Sequence, residues 1–253
     1  LPADILAAAR KIRILNRIEH DFRKSLLECM LVKIARGGWS HILVVLLVPG
    51  ALAAVFFHQG WVVAAALMAL LAAVLVAFMV YFFRDPDRPA LADVAVVVSG
   101  ADGWVRCVEE VPEPRFLKTD CLRISTFLTP FDVHVNRAPI GGTVRHLGYT
   151  PGKHLLTIKE ESAEYNEHST IVIDGPRTRC LVRQIVGPLV RRVVYWLDLN
   201  QSLKTGERIG MMKFGSRLDV YLPADDVEVL VKKGDRVFAG ITAIARIKKG
   251  ARI

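Results

Sequence analysis

No Asp, Glu, Lys or Arg occurs between His41 and Phe83. A helix at the surface of a soluble protein carries a polar face, so this absence weighs against a buried soluble helical pair. The window is broken only by His58-Gln59-Gly60. It therefore reads as a two-helix membrane hairpin, His41 to Phe57 and Trp61 to Phe83, turning at Gln59-Gly60. About 20 helical residues cross a hydrocarbon core. The second run meets that length and the first sits near its lower limit. A cleaved signal peptide does not fit, because the first apolar run begins late and the second follows at once.

Other things are scarce. The four cysteines, Cys29, Cys107, Cys121 and Cys180, show no CxxC spacing. That excludes the usual zinc and dithiol motifs and predicts reduced thiols in a cytoplasmic compartment. No RNA-recognition signature, zinc finger or basic heptad run is present, so the net charge of +9 is not explained by nucleic acid. His146 and His154 lack metal-ligand spacing with Cys or carboxylates, and no metal is expected. There is no long linker, low-complexity tract or clear internal repeat. After Arg84 no long 3.6-period segment separates the strand-like runs, which excludes a doubly wound sheet.

The charge that is present has a pattern. Arg10, Lys11, Arg13, Arg17, Arg23, Lys24, Lys33 and Arg36 precede the apolar window, and Arg84 and Arg88 follow it. The turn has no Lys or Arg. The positive-inside bias places both ends in the cytoplasm. Each basic residue near an anionic leaflet adds roughly 1 kcal/mol of attraction. Residues 10–36 read as an amphipathic helix, with Leu15, Ile18, Phe22, Leu26, Cys29, Met30, Lys33 and Ile34 at three- and four-residue spacing. It lies on lipid or packs on the soluble domain; both readings stay open. The expected division is a basic segment over 1–40, the membrane hairpin over 41–83 and a cytoplasmic domain over 84–253.

Arg84-Asp85-Pro86-Asp87-Arg88-Pro89 stops the second helix and opens a loop. Short runs rich in Val, Ile, Thr and aromatics follow: Val94–Val98, Val105–Val108, Cys121–Phe127, Thr143–Leu147, Leu155–Ile158, Thr170–Ile173, Arg179–Val186, Val193–Trp196 and Leu218–Leu222. Gly, Pro and Asp punctuate them. The fold class expected is α+β, with a mostly antiparallel β domain. The tail from Val227 to Gly240, a strand, a Lys-Lys-Gly-Asp turn and a second strand, resembles half of a lipoyl- or biotinyl-carrier barrel. The carrier lysine of such domains is not evident.

One motif carries chemistry of its own. In Phe214-Gly215-Ser216-Arg217-Leu218-Asp219 a serine hydroxyl sits beside a glycine carbonyl that no side chain crowds. Attack of that hydroxyl on its own backbone would turn one chain into two. Upstream lie Asp102-Gly103, then Phe131-Asp132-Val133-His134-Val135-Asn136-Arg137-Ala138-Pro139 followed by Gly141-Gly142. Asn166-Glu167-His168, Gln184-Ile185-Val186-Gly187, Arg191-Arg192 and Gly206-Glu207-Arg208-Ile209-Gly210 come next. In this order the set resembles the short prokaryotic form of phosphatidylserine decarboxylase, including its archaetidylserine-using relatives. The resemblance covers roughly residues 80–245 and the membrane segments before them.

The resemblance implies a zymogen that cuts itself between Gly215 and Ser216 without hydrolysis. It implies a β chain, 1–215, and an α chain, 216–253, that begins with a pyruvoyl group made from Ser216. That covalent ketone would serve as the cofactor in place of pyridoxal phosphate, through a Schiff base with the serine amine. The reaction would convert phosphatidylserine to phosphatidylethanolamine and CO2 at the cell membrane. A homodimer is also implied. Ser216 is the pyruvoyl precursor, His134 the general acid/base candidate and Asp102 the group that would orient a histidine or steady its cation. Arg137, Arg191 and Arg192 are candidates for the substrate phosphate or carboxylate, and Arg191 reads better as a solvated charge.

Two positions depart from the family pattern. The longer branch has a second His three residues after the first and uses it in self-cleavage, whereas this chain has Arg137. His168 stands where Arg commonly follows Asn-Glu. A reading from another class remains, a non-enzymatic membrane adaptor with a lipoyl-like barrel. It predicts an intact chain where the enzyme predicts two fragments.

Overall fold

The computed structural model describes residues 33–89, 93–153, 165–187, 193–212 and 216–248. The N-terminal amphipathic helix therefore falls almost wholly outside the described residues. So do Cys29, His154, Arg191, Arg192, Gly215 and the run Leu155–Ile158. The chain divides into two compact units. One holds the apolar segment through Val80 with Arg84–Pro86, and the other holds Tyr81–Phe83 and everything from Asp87.

In the first unit α1 spans Gly38–His58 and α2 spans Val62–Phe82, 21 residues each. At 1.5 Å per residue each is roughly 30 Å long, the thickness of a hydrocarbon core. Gly37 enters α1 at φ 80°, a left-handed conformation glycine adopts without strain. The turn between the helices is closed by Gln59 N–H to Val55 O and Trp61 N–H to Phe56 O, with Phe56 and Trp61 stacked at 5.6 Å. Both helices are long and apolar enough to cross a membrane. Their large side chains face outward: Leu47 is 62% exposed, Leu70 62% and Val63 75%. A soluble pair would have buried one such stripe.

The second unit is built on an eight-stranded antiparallel sheet. Its order is β13 (Arg236–Val237), β2 (Gly103–Glu113), β3 (Thr119–Phe127), β11 (Arg217–Pro223), β7 (Arg179–Ile185), β6 (His168–Asp174), β5 (Gly142–Thr150), β9 (Ser202–Leu203). A three-stranded sheet, β4 (Val135–Arg137), β10 (Arg208–Met212), β8 (Val193–Tyr195), and another, β1 (Val96–Val98), β14 (Ala243–Ile247), β12 (Val227–Val229), complete it.

The central strand is β11, paired with β3 on one side and β7 on the other. Strand side chains alternate between faces. Leu218, Val220 and Leu222 therefore share one face with Ile124, Val182, Cys180, Ile171 and Ile173, and all belong to the main apolar core. Burying one such side chain contributes about 1.5–3 kcal/mol. Arg217, Asp219 and Tyr221 occupy the opposite face of the same strand.

The tail differs from the sequence expectation in one respect. Strands form on either side of Lys232-Lys233-Gly234-Asp235, but they do not pair with each other. β12 pairs with β14, and β13 crosses to pair with β2. The turn therefore joins two sheets instead of closing a hairpin.

Candidate active site

Ser216 stands at the entry to β11, wholly buried. Its carbonyl accepts the Leu128 N–H at 3.0 Å, which extends the β3–β11 ladder by one rung. The alternation along β11 puts Ser216 on the same face as Leu218, toward the core. Its Oγ has no hydrogen-bond partner among the described residues. A buried hydroxyl left unpaired is unfavourable by about 1–3 kcal/mol, so its persistence at this point singles it out.

The next residues explain why the motif continues Arg-x-Asp. Arg217 and Asp219 are two apart on one strand and so share a face. Arg217 Nε donates to Asp219 Oδ1 at 2.6 Å and Nη2 to Oδ2 at 2.7 Å, with Ser125 Oγ accepting from Nη2 at 3.0 Å. The pair is fully buried, at 1% and 0% exposure. Burial opposes the arginine's charge, but Asp219 more than offsets it and the Arg217 pKa is raised. The fork locks the strand immediately after Ser216. Replacing Asp219 with Ala should strand a buried guanidinium and cost about 3–5 kcal/mol, read as a lower urea midpoint.

His134 reaches the site from a different direction. The loop from Leu128 turns at Thr129, whose N–H and Oγ1–H both donate to Asp132 Oδ2, at 2.7 and 2.8 Å. Arg236 pairs with the other oxygen of Asp132. The loop then enters β4 through His134. The His134 carbonyl accepts the Met212 N–H at 3.2 Å, and only residues 213–215 separate Met212 from Ser216. His134 is thus bonded to a residue four positions before Ser216 in the chain. His134 Nδ1 lies 2.9 Å from Asp132 O. A carbonyl only accepts, so Nδ1 carries the proton and Nε2 is the basic nitrogen of the neutral ring. The ring packs on Phe82, the last residue of α2, at 4.2 Å between centroids. The preceding residue, Tyr81, donates its hydroxyl to Phe131 O at 3.1 Å.

Asp102 is buried, and the structure places it against Arg88. Arg88 clamps both its oxygens at 2.6 and 2.8 Å, and the Ala239 N–H donates at 2.8 Å. Arg88, read from sequence as a membrane-flanking charge, is in fact a buried partner. Gly103, the next residue, lets β2 lie close against β3: a Cβ there would lie 2.1 Å from Phe127 O. The orienting acceptor of His134 is the backbone of Asp132, which sequence reasoning passed over. The nearest signal was a Thr-x-x-Asp spacing, the pattern of a capped turn.

Residues 75–245 match the family model for phosphatidylserine decarboxylase. The phosphatidylserine decarboxylase proenzyme of Carboxydothermus hydrogenoformans is 46% identical over 181 residues, covering 72% of this chain and 85% of that protein. The proenzyme of Symbiobacterium thermophilum is 45% identical over 216 residues, 85% of this chain and 95% of the relative. That of Desulfotalea psychrophila is 41% identical over 172 residues, 68% and 80%.

This chain belongs to the phosphatidylserine decarboxylase family.

Within that family frame, the two departures have definite surroundings. Arg137, in place of a second His, is buried and donates from Nη1 to Gly206 O at 2.9 Å. His168 is half-buried, with Nδ1 2.8 Å from Asn166 O. Burial pushes its pKa down, and Arg183 and Arg115 add to the shift against the pull of Asn166. Cys107, Cys121 and Cys180 are free thiols. Burial, with Glu113 and Asp120 nearby, raises Cys121 to about 12, and Cys180 is also raised. No metal-binding group of His, Cys, Asp and Glu occurs among the described residues.

Asp132 gives a pH prediction. Burial alone would raise its pKa, but Arg236 and the Thr129 donors outweigh it and the folded value is lowered. A carboxylate depressed in the folded state contributes stability above its unfolded pKa of about 3.9 and loses it as pH falls through the folded value. Stability of Asp132→Asn should therefore fall less steeply than wild type as pH is lowered below about 4, followed by urea unfolding at stepped pH.

Proposed function

We propose that the chain is the precursor of an enzyme that cuts itself between Gly215 and Ser216 and then decarboxylates phosphatidylserine to phosphatidylethanolamine. The observation that carries this is Ser216 itself: a buried hydroxyl, without a partner among the described residues, at the Gly-Ser junction of a chain in a family of proenzymes. Ser216 Oγ attacks the Gly215 carbonyl carbon, the Gly215–Ser216 C–N bond breaks, and the freed amine takes the proton. An ester results. Loss of the Ser216 Cα proton expels the Gly215 carboxylate. The enamine left behind tautomerises to an imine, and water replaces its nitrogen, releasing ammonia.

The keto group so made supplies a sink for the electron pair left when CO2 departs. The remaining work falls to side chains and backbone. Leu128 N–H holds the residue 216 carbonyl in the ladder. His134, with its proton fixed on Nδ1, offers Nε2 to take or return a proton. Arg137 and Arg192 are assigned to the anionic groups of the substrate, and Asp102, through Arg88, to holding the β2 end of the site.

Location follows from the substrate. Withdrawing a two-tailed lipid from a bilayer costs about 0.8 kcal/mol per CH2. Two helices long and apolar enough to cross a membrane support a site that meets the headgroup where it lies. The basic flanks of the apolar window support the cytoplasmic face. Mass spectrometry of the expressed protein should find chains 1–215 and 216–253. The purified protein should release CO2 from phosphatidylserine, with archaetidylserine as the parallel arm that fixes the lipid backbone. An active chain found unbroken would refute the proposal.

A further inference from the structure

Five large apolar side chains of the second unit, Tyr81, Trp104, Phe131, Phe238 and Ile241, are between 43% and 67% exposed and are tied together around one ion pair. The Arg236 guanidinium lies 5.4 Å from the ring centroid of Trp104 and 5.4 Å from that of Phe238. It pairs with Asp132, whose neighbour Phe131 accepts the Tyr81 hydroxyl on its carbonyl at 3.1 Å. Ile241 closes the turn that Phe238 opens, its N–H donating to Phe238 O at 3.1 Å. Phe238 N–H donates to Thr242 Oγ1 at 2.9 Å, Ala239 N–H to Asp102 Oδ1 at 2.8 Å and Gly240 N–H to Ser99 O at 2.8 Å. Val237 and Ala239, on either side of Phe238, are buried. The outward set of Phe238 therefore belongs to a fixed turn.

A gathered set of exposed apolar side chains marks a contact with another protein or with a membrane. Three features select the membrane. Tryptophan and tyrosine rings settle at the headgroup level of a bilayer, where one end of the ring is apolar and the other meets water. The charge at the centre, Arg236, is matched by Asp132 and lies over two rings, so covering it with lipid leaves no lone charge. The rim is basic. Lys232 and Lys233 are exposed on the turn before β13, which Val105 N–H to Asp235 O at 2.9 Å and Gly234 N–H to Val105 O at 2.8 Å hold beside Trp104. Each lysine would strengthen attachment to an anionic leaflet about fivefold. Tyr81, moreover, belongs both to this surface and to the last turn of α2, a helix long and apolar enough to cross a membrane.

We propose that this aromatic face is a membrane-docking surface: its rings enter the headgroup layer of an anionic bilayer and hold the His134 loop against it. This rests on the readings of the hairpin as membrane-spanning and of the chain as a lipid decarboxylase. The face and the loop are joined through Asp132. Its carboxylate takes Arg236 and both Thr129 donors, and its carbonyl takes the His134 Nδ1 proton. Where the rings settle therefore sets the depth at which His134 meets a headgroup. A tether restricts distance, whereas a docked face also restricts orientation, which a reaction at a headgroup requires.

With Trp39, Trp61 and Trp196 replaced by Phe, Trp104 is the one tryptophan left of four. The full chain carrying these changes is reconstituted into vesicles of phosphatidylcholine and phosphatidylglycerol, with and without bromine near the top of the acyl chains. Bromine should quench Trp104 emission by about half or more if the ring sits at the interface. In the otherwise native chain, Trp104→Ser with Phe238→Ser should slow CO2 release from vesicular phosphatidylserine about tenfold or more, since burying each ring favours docking about 10–100-fold. Release from short-chain phosphatidylserine dispersed as monomers should be unchanged. A thermal melt checks that each variant is folded. Protein that floats with the vesicles while Trp104 stays unquenched would overturn the proposal. So would an equal loss on both substrates, which would make the rings part of the site's own structure. An unquenched Trp104 with an altered oligomeric state in the double variant would give the face to a second copy of the chain. The readings beneath the proposal fail differently. Protein that does not float with vesicles removes the membrane hairpin and the docking surface with it. Quenched Trp104 without CO2 release removes the decarboxylase and supports the docking surface.

Discussion

Ser216→Ala should remain a single uncut chain and release no CO2 from phosphatidylserine above the uncatalysed background. The residue is asked to be two things in succession, the nucleophile that breaks the backbone and the atom source of the ketone. Alanine supplies neither. Because the Oγ is buried and has no partner among the described residues, its removal deletes an unfavourable desolvation instead of a bond. The variant should therefore melt at or slightly above the wild-type temperature, gaining up to about 1 kcal/mol. Loss of both activities with unchanged or improved stability is a combination that a structural role for Ser216 could not produce. Denaturing electrophoresis, CO2 release and calorimetry on one preparation check all three. A Ser216→Ala protein with wild-type turnover would end the case for a ketone at this position.

Why so much of this was legible beforehand is a matter of period and spacing. Two long apolar stretches without a polar face read as helices, and α1 and α2, long and apolar enough to cross a membrane, fall within a few residues of those runs. Alternating β-branched residues marked β3, β6, β7 and β11, because each has one face in the core. The short strand β4 was missed as a strand because Val135–Arg137 is buried on both faces and has too few residues to show alternation. β10, Arg208–Met212, was missed for a related reason, since its Gly210 interrupts the apolar pattern. Yet these two strands bring His134 beside Met212, four positions before Ser216 in the chain.

Charged residues were harder still. A sequence shows that Arg88, Asp102, Arg217 and Asp219 exist, but not that each is buried against a partner. Arg217 and Asp219 could have been paired from their spacing on a strand. Arg88 and Asp102 could not, because Arg88 lies in a loop and no periodicity relates it to Asp102. The buried hydrogen bonds from Ser169 to Gln184 and from Gln184 to Asn136 were equally hidden, because the three residues lie on three strands of two separate sheets.

His134→Ala should lower turnover of cleaved enzyme by about 10²–10⁴-fold with little change in KM, the expected loss for a positioned acid/base. The Asp132 carbonyl decides which ring nitrogen carries the proton. Asp132 O holds the Nδ1 proton, so the ring presents Nε2 in its basic form. His134→Asn tests that assignment more sharply than alanine. Its side-chain NH2 can still donate to Asp132 O and keep the loop in place, but it has no basic nitrogen. If proton transfer is the task, Asn should be as slow as Ala. If the ring only packs against Phe82 and braces the loop, Asn should recover much of the rate. Measuring CO2 released per cleaved chain keeps chemistry apart from maturation. The extent of cleavage in the same variants then decides whether His134 also serves as the base that Arg137, standing where a second histidine is found in the longer branch, does not supply. Near-normal turnover in cleaved His134→Asn would remove the imidazole from the reaction and leave it a structural role at the end of the membrane helix.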